Sequence, residues 1–460
     1  MVRIGSASEK GLETDSLIVE SDDSYGAIPT LDSPSPKEQH YFSSAVIVLA
    51  VLIGDTARGI MFPTLWLLVL SLGGTRFHQG LAVAAFSGGR IVSSPIFGRY
   101  SETHGYRPVL IACNLCILLG ALLYISANSI WLLILAQWCI GFGAGSLGVT
   151  RSYVADHTEK ADRTEYLAYL TAVQYAGFTV TPILGSVLAA HAHHNDGYGD
   201  DTIVNQFTLP AMVLGAAALF CTALLVVFFV DSPPKDTPVV SPATGTTVES
   251  GSRSPVSEIP EKTSGLSTFD WMAIGGCALN LSTKGTIGVF ETLTVEFTTS
   301  HYNWSAQRTG VTVATWGACG FMLLLSFKYI LKCLSDVNLV LYGMLLMSLG
   351  CLIMSSLFTP EVPEPTFYFA IALTYGLAYP VGHTALIGLY SKLMKAGPQG
   401  EMMGYFGSAG SLARVVFPIM AGILTDLYGD NVIFGVMAGV LLVSAAGYAY
   451  LKPLVQEMTK

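Results

Sequence analysis

Twelve apolar stretches, each long enough to cross a lipid bilayer as a helix, punctuate this chain at 42–70, 79–99, 108–127, 130–153, 164–190, 207–230, 269–297, 308–331, 338–358, 366–390, 402–425 and 431–451. No other feature narrows the fold so far. A helix satisfies its own backbone polar groups, so a run of about 18 or more apolar residues reads as a span across a hydrocarbon core about 30 Å thick. Composition agrees: of 460 residues, 52% are hydrophobic and 12% charged, against about 25% charged in an ordinary soluble domain. The expected fold class is an all-α polytopic membrane protein of twelve helices, with the lipid bilayer as its solvent.

An even number of spans puts both ends of the chain on one side. The loops on that side hold Arg107, Lys160, Arg163, Lys332, Lys392 and Lys395, whereas the opposite loops carry almost only Arg76. Basic residues accumulate on the cytosolic side, so both termini are expected in the cytosol. Residues 1–41 carry eight acids against Arg3, Lys10 and Lys37 and no apolar core. They read as a disordered tail and not a signal peptide. The eight cysteines sit in or beside the spans and point to no disulfide framework; Cys113 and Cys116 share an apolar helix face and read as packing.

The Pro-, Ser- and Thr-rich stretch 231–268 cannot bury a core and separates six spans from six. The expected organisation is a tail over 1–41, a six-helix bundle over 42–230, a linker over 231–268, a second bundle over 269–452 and a short tail over 453–460. The halves echo one another: the fifth span reads AGFTVTPILG and the eleventh AGSLARVVFPIMAG, each with Ala-Gly, then a helix-bending Pro, then Gly. The third, sixth, ninth and twelfth spans contain no Asp, Glu, Lys or Arg, whereas the first holds Asp55 and Arg58 and the seventh Lys284, Glu291 and Glu296. Ionisable groups inside a membrane are costly unless they face a bundle interior or an aqueous cavity. Every third helix is therefore expected at the lipid, with the others around a central cavity, as in transporters built from paired six-helix halves.

Between the second and third spans lies GRYSETHGYR, with Gly98, Glu102, Gly105 and Arg107 in the pattern G-x-x-x-[DE]-[RK]-x-G-[RK]-[RK]. Thr103 and Tyr106 depart from it. The glycines permit a tight turn, the acid can sit near a helix N-terminus, and the basic groups hold the loop in the cytosol. This loop resembles the signature of the major facilitator superfamily, which implies two pseudo-symmetric six-helix bundles and a latch for one state of a transport cycle. The segments SPIFG, GFGAG, RSYVA, FETL, YPVGH, LYSKL, GPQGEMMGY and GSLARVVFP follow in that order. They resemble the lysosomal ceroid-lipofuscinosis neuronal protein seven family, which implies a lysosomal membrane location and permeability to a small anion such as chloride. Gln137 stands where the superfamily carries a fourth-helix arginine, so a proton-coupling role does not transfer to that position.

The amino tail carries ETDSLI, in which Glu13, Leu17 and Ile18 fit the dileucine signal [DE]-x-x-x-L-[LI] read by clathrin adaptors. Within the bundle, Asp55 and Arg58 are spaced three apart and are expected to neutralise one another on one helix face. Lys284 and Glu291 share a face two turns apart, with Glu296 nearer the luminal end. Arg90 and Arg414 have no acid within a helical turn, so a distant carboxylate or a substrate must answer them. His383 is the one histidine inside a span and reads as a core residue or a proton-linked group. Asn303-Trp304-Ser305 is a glycosylation sequon in a luminal loop. The loop HAHHNDGYGDD reads as solvated rather than metal-binding.

No metal-ligand spacing, nucleophile elbow or phosphate loop appears in the sequence. The expected protein is no enzyme, needs no cofactor or metal and meets no nucleic acid. It is a lysosomal or vacuolar facilitator moving a small molecule or inorganic anion by alternating access, with or without coupled protons. A channel-like anion pathway on the same fold and a non-transporting scaffold are the alternatives.

Overall fold

A computed structural model of the chain describes residues 36–194, 204–231, 268–355, 362–394, 398–429 and 431–459. Every regular element among them is helical, and they follow one another as twelve spans. The first is Pro36–Gly59 continued, after a bend of 46°, by the helix Phe62–Ser71 with Pro63 in its first turn. Then come Arg76–His104, Tyr106–Ile125, and a fourth span broken at Ala144 and Gly145 into Ile130–Gly143 and Ser146–His157. Arg163–His194 and Thr208–Phe228 complete the first half. The second half runs Thr268–Tyr302, Ala306–Leu325 with the short Phe327–Cys333, Asp336–Met354, a tenth span over Glu364–Leu393, Gln399–Tyr428 and Val432–Thr459.

Among the described residues, nine helices are long and apolar enough to cross a membrane, or ten with the bent first pair counted as one. The fifth and seventh, 32 and 35 residues long, are the two left over. Both turn Thr, Gln, Lys or Glu side chains toward the centre of the molecule. Local chemistry sets several boundaries. Gly105, at φ 85°, turns the second span into the third. The side chains of Ser129 and Ser305 accept from the backbone N–H groups of Leu132 and Arg308 at 3.3 and 3.2 Å, capping the fourth and eighth spans.

Two boundaries differ from the sequence expectation. The first helix starts at Pro36, within the expected tail, because Pro suits a first helical position and the residues after it are compatible with a helix. The last helix continues to Thr459 through Pro453, so the expected tail over 453–460 is helical over its described residues; Leu454 to Met458 are adequate helix formers. The linker from 232 to 267 and residues 195–203 lie outside the described residues, whereas His191, His193 and His194 of the expected histidine-rich loop belong to the end of the fifth helix.

The two halves meet most tightly at the end of the bundle that carries the termini. Gly98 of the second span and Gly400 of the eleventh lie backbone to backbone, and a Cβ on either would run into the other's carbonyl oxygen. Beside them Arg163 donates to the carbonyl of Ser391 at 3.1 Å, and Thr164 donates to Asp336, itself paired with Lys392 at 2.5 Å. Glu165 reaches Lys328 at 3.4 Å. The fifth span thus grips the eighth, ninth and tenth at this end.

Candidate functional site

Above that closure lies a cavity of about 970 Å³. Its walls come from the first, second, fourth, fifth, seventh, eighth, tenth and eleventh spans, and none from the third, sixth, ninth or twelfth. The division by charge read in the sequence is therefore the division by position. Toward the end away from the termini the wall is formed by Ile183 and Val187 of the fifth span and Val311 of the eighth, exposed by 58%, 60% and 61%. The cavity is open there and closed at the termini.

Its polar groups form three sets. Asp55 accepts from Gln174 at 2.9 Å and pairs with Arg90 at 3.8 Å. Glu291 receives Arg58 on one carboxylate oxygen at 3.2 Å and Arg414 on the other at 3.4 Å. The expected Asp55–Arg58 pair is therefore not formed. A long guanidinium on the first span can reach across the interior to the seventh, where Glu291 is buried and in need of charge. Glu291 also holds Arg414, so the two arginines that bracket it tie the first, seventh and eleventh spans together.

The third set is Arg151, Lys284 and His383. Arg151 is 2% exposed and gives one guanidinium nitrogen to Gln174 at 2.9 Å. Lys284 lies along the backbone at Gly410, and His383, also 2% exposed, stacks on Tyr379 at 4.9 Å between ring centres. Lys284 lies in the electrostatic field of Arg151, and His383 in the field of both. Among the described residues no carboxylate lies within 4.0 Å of Arg151 or Lys284.

Tyr375, Tyr379 and His383 reach the cavity at four-residue intervals through a π-helical turn, Ala372–Ala378, in the tenth span. Such turns widen a helix locally and recur at functional sites. Arg151, Gln174, Tyr175, Tyr375 and Tyr379 are not among the expected site residues, although Arg151 and Tyr379 open the segments RSYVA and YPVGH. For Arg151 the signal existed, since no acid lies within one turn of it either: Asp156 is the nearest carboxylate along its helix, five residues on.

Of the other expected site residues, Gln137 is buried off the main cavity, in a small recess with Arg58, Met61 and Phe86. The side chain of Glu296 and the whole of Glu13, Leu17 and Ile18 lie outside the described residues. Asn303 is exposed, at a left-handed φ of 53°. At the termini end, Glu102 sits on the N-terminus of the eleventh span and accepts from the backbone N–H of Gly400 at 2.5 Å and of Glu401 at 3.4 Å. Asp231 accepts from the N–H groups of Tyr106 and Arg107 at 3.0 and 2.9 Å, fixing the turn at Gly105, and Arg107 reaches the carbonyl of Val226.

Comparison with known proteins places this geometry in context. A profile described as Major Facilitator Superfamily matches residues 47–415. Major facilitator superfamily domain-containing protein 8 from Xenopus laevis is 22% identical, over 88% of this chain and 90% of that protein. The class H tetracycline resistance protein of Pasteurella multocida is 22% identical, over 87% of this chain and 95% of its own. Among solved structures, the human organic anion transporter MFSD10 superposes with a TM-score of 0.70 at 18% identity, covering 90% of this chain and 99% of that one. The proton:xylose symporter XylE superposes with a TM-score of 0.70 at 13% identity, covering 90% of this chain and 95% of the other.

Proposed function

The chain belongs to the Major Facilitator Superfamily, and from that premise we propose that it is a secondary transporter carrying a small organic anion through the central cavity by alternating access. One observation carries the reading. Among the described residues five basic side chains, Arg58, Arg90, Arg151, Lys284 and Arg414, stand in the cavity or in the recess beside it with two acids, Asp55 and Glu291, a formal surplus of three positive charges. Positive charge of this kind is tolerated in the membrane interior when something of opposite sign visits it. Size favours an organic solute over an inorganic ion: the volume of about 970 Å³ is at the upper end for small-molecule pockets, about 300–1,000 Å³, and Ile287, Phe290 and Val313 supply apolar wall. The likeness to a structure named for organic anion transport points the same way.

The carrier reading is favoured over a channel by the tight closure at Gly98 and Gly400 below an open cavity, one end shut while the other admits solute. Glu102, seated on the eleventh span across this closure, is its latch. Counterflow in proteoliposomes tests the reading. Vesicles loaded with unlabelled benzoate should take up labelled benzoate faster than empty vesicles, saturably, and should ignore labelled benzamide. Uptake indifferent to internal benzoate, or equal for acid and amide, would contradict it.

The location we propose is the lysosomal or vacuolar membrane, with both termini in the cytosol and the tail read by clathrin adaptors. Its support is the spacing of Glu13, Leu17 and Ile18 and the family resemblance of the motifs along the chain. Changing Leu17 and Ile18 together to Ala should send the protein to the cell surface; unchanged delivery to acidic compartments would remove the motif from the account.

A further inference from the structure

We infer that Arg151 and Lys284 form the headgroup site of the cavity and that its ligand is an organic dianion, one negative charge for each of the two cations that have no carboxylate within 4.0 Å among the described residues. The inference rests on the anion reading above and goes further, to the charge of the ligand and the residues that hold it. Three observations support it.

First, the other cations are committed. Arg90 faces Asp55 at 3.8 Å, and Arg58 and Arg414 divide the two oxygens of Glu291 between them. Arg151 and Lys284 have no such partner among the described residues.

Second, hydrogen-bonding capacity is left unused around them. The second terminal nitrogen of Arg151 and the phenolic oxygens of Tyr175 and Tyr375 are buried without a hydrogen-bond partner among the described residues, and all three residues line this one cavity. Buried polar atoms are almost always satisfied, so three unsatisfied donors around one space describe the outline of a ligand that accepts hydrogen bonds.

Third, the fixed side of the site is built. Gln174 bridges Arg151 to Asp55, donating to the carboxylate and accepting from the guanidinium, each at 2.9 Å. That bridge holds the guanidinium plane in place and leaves its other edge for an oxyanion, to which a planar fork is suited. Lys284 is a point charge that can meet a second one.

The test uses the full-length protein in detergent and measures binding of phthalate, terephthalate, benzoate and benzamide, which share one ring and differ in charge. At least one dicarboxylate should bind about tenfold or more tightly than benzoate, and benzamide should not bind. In Arg151→Gln, and separately in Lys284→Gln, the preference for the dicarboxylate over benzoate should fall from about tenfold or more to less than about twofold. A cooperative thermal unfolding transition in detergent shows that each variant is folded. Arg151→Lys should recover less than half of the lost preference, since it restores the charge without the fork. Equal affinity for mono- and dicarboxylates in the unaltered protein, no dicarboxylate binding, or a preference that survives in both Gln variants would overturn the inference. If benzoate counterflow persists alongside any of these results, the transporter reading stands and only the dianion site falls; if counterflow is absent too, both fall.

Discussion

Replacing Glu291 by Gln is expected to destabilise the protein by about 3–5 kcal/mol, the usual cost of removing one partner from a buried ion pair. Glu291 is 16% exposed at its side chain, and the arginines on its two oxygens are 13% and 19% exposed. Gln has the same shape, so packing is unchanged and the loss is electrostatic. It leaves Arg58 and Arg414 facing each other across an amide that can accept from only one side. Arg414→Gln should cost less than Glu291→Gln, because Arg58 still neutralises the carboxylate. The double variant Glu291→Gln, Arg414→Gln should recover part of the loss, the pattern expected of coupled residues. Thermal unfolding in detergent measures all three. Midpoints for Glu291→Gln within error of the unaltered protein would show that water, not the carboxylate, satisfies these arginines. The expected ordering also makes Arg414 chiefly a tie between helices, a different role from the substrate ligand its isolation in the sequence suggests.

Much of the architecture was legible because the bilayer imposes it. Twelve spans and the absence of every third helix from the cavity wall followed from where apolar runs lie and where charge is missing. The seat of Glu102 on a helix N-terminus was also anticipated from the turn chemistry, although which helix it would cap was not. Pairing within the cavity was less accessible. Asp55 and Arg58 sit three apart on one helix, yet each finds its partner on another span, since helical spacing says which residues share a face and nothing about what faces them. Arg151 lies within a few residues of the expected end of its span, where arginine commonly reaches out to the interface. The fourth helix instead continues to His157 and keeps that side chain 2% exposed. The π-helical turn that brings Tyr375 into the cavity with Tyr379 and His383 has no mark in the sequence; the pattern ALTYGLAYP reads equally well as plain α-helix.

The central claim is that solute crosses by opening the closure at the termini end and shutting the far end, and a reversible cross-link addresses it most directly. Ser94 on the second span faces Gly407 on the eleventh, where a Cβ would stand 3.6 Å from the Cβ of Ser94. Disulfides bridge Cβ atoms about 3.5–4.5 Å apart, and the nearest contacts to that added carbon, 3.5 and 3.6 Å, leave ordinary room for it. In the variant Ser94→Cys, Gly407→Cys, with exposed Cys319 and Cys333 changed to Ser, oxidation should join the two halves. A protease site placed between residues 232 and 267 lets a gel report the bond, since the halves then stay together only when cross-linked. Benzoate counterflow is the readout. The account predicts that exchange falls to the level of protein-free vesicles in proportion to the cross-linked fraction and returns when the bond is reduced; full exchange by fully cross-linked protein would contradict it.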